Sequence, residues 1–188
     1  MEMTARAPRP ATYADIVALP EHVVGEILEG ELVVSPRPAP RHANTTSVLG
    51  GLLSPPFQFG DGGPGGFWIL DEPELHLGEN VIVPDLAGWR RDRLPGIPDE
   101  AFFTLTPDWV CEVLSPGTSR TDRTKKLPIY ARARIPHLWL IDPLAETFEA
   151  YELENERWSL LTHGGDDVVR AAPFEAGAVE LKRLWGRS

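Results

Sequence analysis

The sequence predicts a mixed α/β protein made mostly of strands, and three observations carry that reading. Apolar runs of strand length recur at 67–70, 81–89, 109–114 and 138–141. Two pairs of runs, 24–28 with 31–34 and 147–153 with 157–161, flank Glu29-Gly30 and Glu154-Asn155-Glu156, as β-hairpins do. Apolar residues at helical spacing, Val48, Leu49, Leu52 and Leu53, mark a helix over 42–53, and a second helical stretch spans 121–133.

In chain order, residues 1–11 read as a flexible N-terminal arm and 12–188 as a single domain. Thr12 caps a short helix over 13–18 that stops near Pro20. The first hairpin follows, and Pro36, Pro38 and Pro40 make an extended connector into the 42–53 helix, which Gly50-Gly51 weakens. The glycine-rich run 60–66 lacks Gly-Lys-Ser/Thr and does not lead from a strand into a helix. It reads as a flexible loop, not a phosphate cradle. Strands at 67–70, 74–77 and 81–89 precede a charged, proline-containing loop over 90–100, and 109–114 is the next strand. Ser115-Pro116-Gly117 ends it. Pro128 falls inside 121–133 and is expected to kink or split that helix. Asp142-Pro143 closes the 138–141 strand, and 180–184 forms a last short strand or turn after the second hairpin.

The chain has 188 residues, enough for a sizeable core. No apolar stretch is long enough to cross a bilayer, and the first ten residues lack the apolar centre of a secretory signal. Cys111 is the sole cysteine, which excludes an internal disulfide, fits a cytoplasmic protein and reads as a small core residue. The formal net charge is −10, which weighs against tight, metal-free attraction to nucleic acid. Arg90, Arg91 and Arg93 form one basic cluster, and Arg120, Arg123, Lys125 and Lys126 another. Each reads first as a solvated face.

Chemistry is suggested by two carboxylates in apolar surroundings. Asp85 ends the run Val81-Ile82-Val83, and Glu112 sits within 109–114. A carboxylate among apolar residues costs stability unless something pairs with it. Alternation along a strand groups Glu112 with Val110 and Leu114, and Asp85 with Val83 and Ala87. Two such acids on neighbouring strands would suit a divalent cation. Magnesium takes oxygen ligands, commonly one or two carboxylates with water and phosphate completing the shell. Such an ion activates water and stabilises charge on a phosphoryl oxygen. Asp122, Lys126 and Tyr130 follow at i, i+4 spacing, on one helical face. From there Lys126 would steady negative charge near the ion, Asp122 would line the cleft and Tyr130 would pack.

The order Pro84-Asp85, Glu112-Val113-Leu114 and Asp122 through Lys126 resembles the PD-(D/E)XK nuclease superfamily. More closely, the chain resembles the Uma family of putative restriction endonucleases. The resemblance lies in Gly25 through Leu32, Pro84 through Trp89, Glu112 through Pro116, and Tyr130-Ala131-Arg132 through Leu138 to Pro143, and it covers roughly 12–161. It implies a restriction-endonuclease-like core, a central mixed sheet flanked by helices, and a Mg²⁺-dependent phosphodiesterase site. Carried over by position, Asp85 and Glu112 would be metal ligands and the Val113 carbonyl a third. Glu26 would join the metal shell, and His42 would line the cleft. The chain departs from the plain motif at Leu114, where a lysine is expected. The family pattern supplies that lysine from the next helix, here Lys126. Pro128 and Arg134 stand where a helix former and a glycine are expected.

The leading expectation is a Mg²⁺-dependent endonuclease, with Mn²⁺ as a substitute, cutting DNA and acting as a cytoplasmic homodimer with no membrane association. The alternative is a non-catalytic protein of the same fold with a binding or regulatory role. A two-carboxylate sugar hydrolase is a third, and it would need an aromatic-lined cleft.

Overall fold

In the computed structural model, which describes residues 9–36 and 38–187, the run predicted as one strand over 81–89 is two strands in different sheets. One is β5 (Asn80–Ile82) and the other β6 (Leu86–Arg90). Val83, Pro84 and Asp85 form the corner between them. A proline has no N–H for a ladder, so the chain changes sheet at Pro84.

The smaller sheet holds the predicted N-terminal hairpin, β1 (Val23–Leu28) and β2 (Glu31–Pro36), with β5 and β4 (Leu75–Leu77), in the antiparallel order β2-β1-β5-β4. Glu29 and Gly30 both have positive φ, 54° and 81°, as a twisted two-residue hairpin turn requires. The short helix α1 (Tyr13–Val17) lies against β1, and a Cβ at Gly25 would collide with Leu19 Cδ1. A larger residue there would have to displace that leucine methyl. Residues 1–8 of the predicted arm lie outside the described residues. Arg9 binds the Asp15 carboxylate with both terminal nitrogens at 2.8 and 2.6 Å, and the Ala11 N–H donates to Gly30 O at 2.8 Å.

The larger sheet is six-stranded and mixed. It comprises β3 (Phe67–Asp71), β6, β7 (Trp109–Val113), β8 (His137–Asp142), β9 (Thr147–Glu154) and β10 (Arg157–Gly164). Their order is β10-β9-β8-β7-β6-β3, with β7 and β8 the parallel pair. The predicted C-terminal hairpin is β9–β10, with Asn155 and Glu156 at φ 49° and 63° in its turn. Side chains alternate between two cores. Trp109, Cys111, Trp139 and Ile141 enter one, while Val110, Leu138 and Leu140 enter the other with Leu114.

Helix α2 (Pro40–Leu53) starts two residues earlier than expected, because Pro40 is a first-turn helical residue and not part of the connector. A wide π-turn (Ser54–Phe59) extends it, and the glycine-rich loop packs against that turn: Asp61 and Gly65 donate to the carbonyls of Pro55 and Pro56 at 2.8 Å each. The parallel β7–β8 pair needs a crossover. The crossover is α3 (Ser119–Thr121), a π-turn (Asp122–Lys126) and α4 (Leu127–Arg132). The helix predicted over 121–133 is thus split, with Pro128 in the first turn of α4. At the C-terminus β11 (Val168–Val169) pairs with β12 (Val179–Glu180), and a 3₁₀ turn (Leu181–Arg183) follows. Strand β11 and its pairing are absent from the sequence reading.

Candidate active site

The crossover returns over the sheet and sets Lys126 on the acid of β7. Its Nζ lies 2.9 Å from Glu26 Oε1, 3.2 Å from Glu112 Oε1 and 3.6 Å from Asp122 Oδ1, and all four side chains are buried. Glu26 comes from β1, Glu112 from β7, and Asp122 and Lys126 from one π-turn, so three elements meet at this ammonium. At the β5–β6 corner the Val83 N–H donates to Glu26 at 2.9 Å. Asp85 Oδ2 accepts the Val113 N–H at 2.6 Å, and its Oδ1 lies 3.1 Å from His42 Nε2 on α2. Asp85, at the break between sheets, is therefore tied to the strand that carries Glu112.

Every residue singled out as a candidate, Glu26, His42, Asp85, Glu112, Val113, Asp122 and Lys126, lines one cleft of about 420 Å³. Sequence reading missed the part played by Tyr130. It was expected to pack, yet its buried hydroxyl donates to Glu112 Oε1 at 2.5 Å. The i, i+4 spacing from Lys126 is the signal that could have placed it there.

Burial works against charge on Lys126, but Glu112, Glu26 and Asp122 more than offset it and hold its pKa well above an ordinary lysine's. It is an ammonium at neutral pH. Burial pushes the Glu112 carboxyl up, and Asp122, Asp85 and Glu26 push it further while Lys126 opposes them. Asp122 is raised for the same leading reason. Burial also disfavours a charged His42, yet Asp85, with the Val113 backbone and Asp122, raises its pKa overall.

Three carboxylates around one ammonium, with Asp85 close by, leave a surplus of negative charge that must be met by a proton or a cation. The donor set is all oxygen, which suits a hard ion such as magnesium. Among the described residues no three His, Cys, Asp or Glu side chains stand together as ligands of one ion. Among the described residues no Phe, Tyr or Trp lines the cleft: Trp89 and Trp109 are core residues, and the Trp68 indole donates to Leu94 O at 3.0 Å. The sugar-hydrolase alternative loses its aromatic platform.

A mixed sheet that presents an acidic corner, an acidic strand and a crossover lysine to one cleft defines a protein of nuclease fold. The chain belongs to the Uma2 family, described as putative restriction endonuclease, whose model matches residues 13–182. Among solved structures it resembles the crystal structure of a putative nuclease belonging to DUF820 from Anabaena variabilis. The TM-score is 0.76 and the identity 23%, over 94% of this chain and 98% of that one. No curated protein matches it. Among the described residues no helix is long and apolar enough to cross a membrane.

Proposed function

We propose that the cleft is a Mg²⁺-dependent phosphodiesterase site acting on DNA, with Asp85, Glu112 and the Val113 carbonyl as protein ligands of the ion and Mn²⁺ as its substitute. One observation carries this reading: Lys126, supplied by a different element, stands 3.2 Å from Glu112 although Leu114 occupies the expected lysine position. A bound magnesium would supply an activated water and stabilise charge on a phosphoryl oxygen. Lys126, held as an ammonium, donates to oxygens that gain negative charge and takes up no proton. Glu26 and Asp122 aim that ammonium, Tyr130 and Lys126 fix the Glu112 carboxylate, and His42 with the Val113 N–H fixes Asp85. The reading includes a cytoplasmic homodimer, which light scattering checks.

The test is cleavage of supercoiled plasmid and of single-stranded DNA in Mg²⁺. Asp85→Asn, Glu112→Gln and Lys126→Met are each expected to lower the rate by about 10²-fold or more. Variants that cut as fast as the wild type would sink the proposal. Mn²⁺ soaked into crystals should give anomalous density between Asp85 and Glu112. A second reading, a non-catalytic binding protein, draws on one observation: both Glu112 oxygens already face protein donors, Tyr130 and Lys126. Robust cleavage that disappears in Lys126→Met would exclude it.

A further inference from the structure

We infer that the cleft takes nucleic acid as a single strand, admitting an unpaired nucleotide and not an intact duplex; this rests on the nuclease reading of the same site. The first observation is depth. The side chains of Glu26, Glu112, Asp122 and Lys126 are 3–7% exposed, and those of Asp85 and His42 are 14% and 12% exposed. The reacting groups thus lie at the bottom of a recess of about 420 Å³, a size that suits one small ligand. A nucleotide reaches such a floor more readily when it is already unpaired, because one held in a duplex must first be unstacked and unpaired.

The second observation is the wall. Val24 and Val33, on the face of the β1–β2 hairpin that carries Glu26, and Pro38 of the connector line one part of the cleft, and Pro116 lines another. These are apolar surfaces suited to the face of a base and not to a phosphate track. A paired base keeps its faces in the stack, so only an unpaired one can use them.

The third observation is the engagement of the cations. Among the described residues Lys126 is the single lysine or arginine lining the cleft, and three carboxylates enclose it. The arginine clusters that the sequence offers as nucleic-acid patches are largely engaged elsewhere. Arg90 binds Asp92, Arg93 binds Asp108, and Arg91 lies over the Trp68 ring and donates to the carbonyls of Phe67 and Gln58. In the second cluster Arg123 binds Glu149 and Lys125 binds Glu31. A duplex carries roughly one charge per 1.7 Å of axis and depends on cationic contacts more steeply than a single strand does. A chain of net charge −10 with its arginines so paired is better matched to the strand of lower charge density.

The test uses one end-labelled oligonucleotide, alone and annealed to its complement, with two readouts. Cleavage is followed in Mg²⁺, and fluorescence anisotropy is followed without a divalent ion. The single strand is expected to be cut and bound about tenfold or more better, the cost of unpairing a base. Val24→Ser, at a partly exposed wall position on the hairpin face that carries Glu26, is expected to weaken single-strand binding and cleavage together. Equal or faster cutting of the duplex overturns the inference and leaves the nuclease reading standing. Preferential binding of an uncut single strand supports the inference and overturns hydrolysis. Equal binding of the two forms, or no effect of Val24→Ser, overturns the inference.

Discussion

At the scale of single residues the site turns on one ammonium shared by three buried carboxylates. Replacing Lys126 by Met removes the one positive charge that, among the described residues, faces Glu26, Glu112 and Asp122. Breaking a buried pair in this way costs about 3–5 kcal/mol, because the remaining charges have lost their partner. Urea unfolding should show that loss alongside abolished nicking; a variant with wild-type stability would mean that the carboxylates do not depend on the ammonium. Tyr130→Phe removes only the hydroxyl that donates to Glu112, and its expected cost is about 1.5–3 kcal/mol with the fold retained. Asp85, Glu112 and Lys126 were legible in the sequence because acids inside apolar runs and an i, i+4 lysine are anomalies that ask for partners. Glu26 was less so, since Glu29 and Glu31 crowd the same hairpin. The structure separates them: Glu26 is buried on Lys126, while Glu29 and Glu31 bind Arg132 and Lys125 at the surface. The hydroxyl partner of Tyr130 leaves no trace in composition or apolar pattern.

At the scale of elements, the crossover is where local chemistry and site geometry meet. Its π-turn, which bears Asp122 and Lys126, is pinned to β9 by Arg123, whose two terminal nitrogens donate to Glu149 at 2.7 and 2.8 Å, and the Tyr151 hydroxyl donates to the same acid. The Arg123 guanidinium holds the Glu149 carboxyl below its ordinary pKa. The unfolded chain therefore takes up a proton on Glu149 first as pH falls. The stabilisation is present above the ordinary carboxylate range and is lost as pH drops through the lowered folded value. Glu149→Gln is expected to be less stable at neutral pH by about 1 kcal/mol, a modest figure because Arg123 is partly exposed and solvent screens the pair. The difference from wild type should shrink in acid; a constant difference across an acid titration would reject the link. Further along, α4 ends with Arg134 at φ 58°. The Arg134 N–H donates to Ala131 O at 2.9 Å and the Ile135 N–H to Tyr130 O at 3.1 Å, the bonding of a left-handed helix cap. Glycine is the residue expected there, so Arg134→Gly should stabilise the protein by about 0.5–1 kcal/mol in thermal unfolding. The two hairpins were legible from turn chemistry. The β5–β6 break was not, because apolar residues continue on both sides of Pro84 and outvote one proline.

At the scale of the whole molecule, the C-terminal segment and the helix bearing His42 depend on each other. Leu181, Leu184 and Trp185 are fully buried and belong to the same core as Leu49 and Leu53 of α2. The Thr45 hydroxyl donates to Leu184 O at 2.8 Å, and the Trp185 indole N–H donates to Gly165 O at 2.7 Å. The tail therefore clasps α2 from one side while β7 supports the other core face, and α2 in turn delivers His42 to Asp85. None of this could be read from the sequence, where 165–187 holds short polar and apolar pieces without a helical or strand period long enough to declare itself. Trp185→Ala should cost about 3–5 kcal/mol, the range for truncating a buried tryptophan. Global unfolding in urea measures the cost, but amide exchange tests the clasp. If the tail backs α2, amides within 40–53 lose protection before those of the β9–β10 hairpin, which lies at the far edge of the larger sheet and pairs through its own ladder. Uniform loss across both regions would mean that Trp185 supports the core as a whole. Early loss confined to α2 would mean that the last residues of the chain set how firmly His42 is held against Asp85.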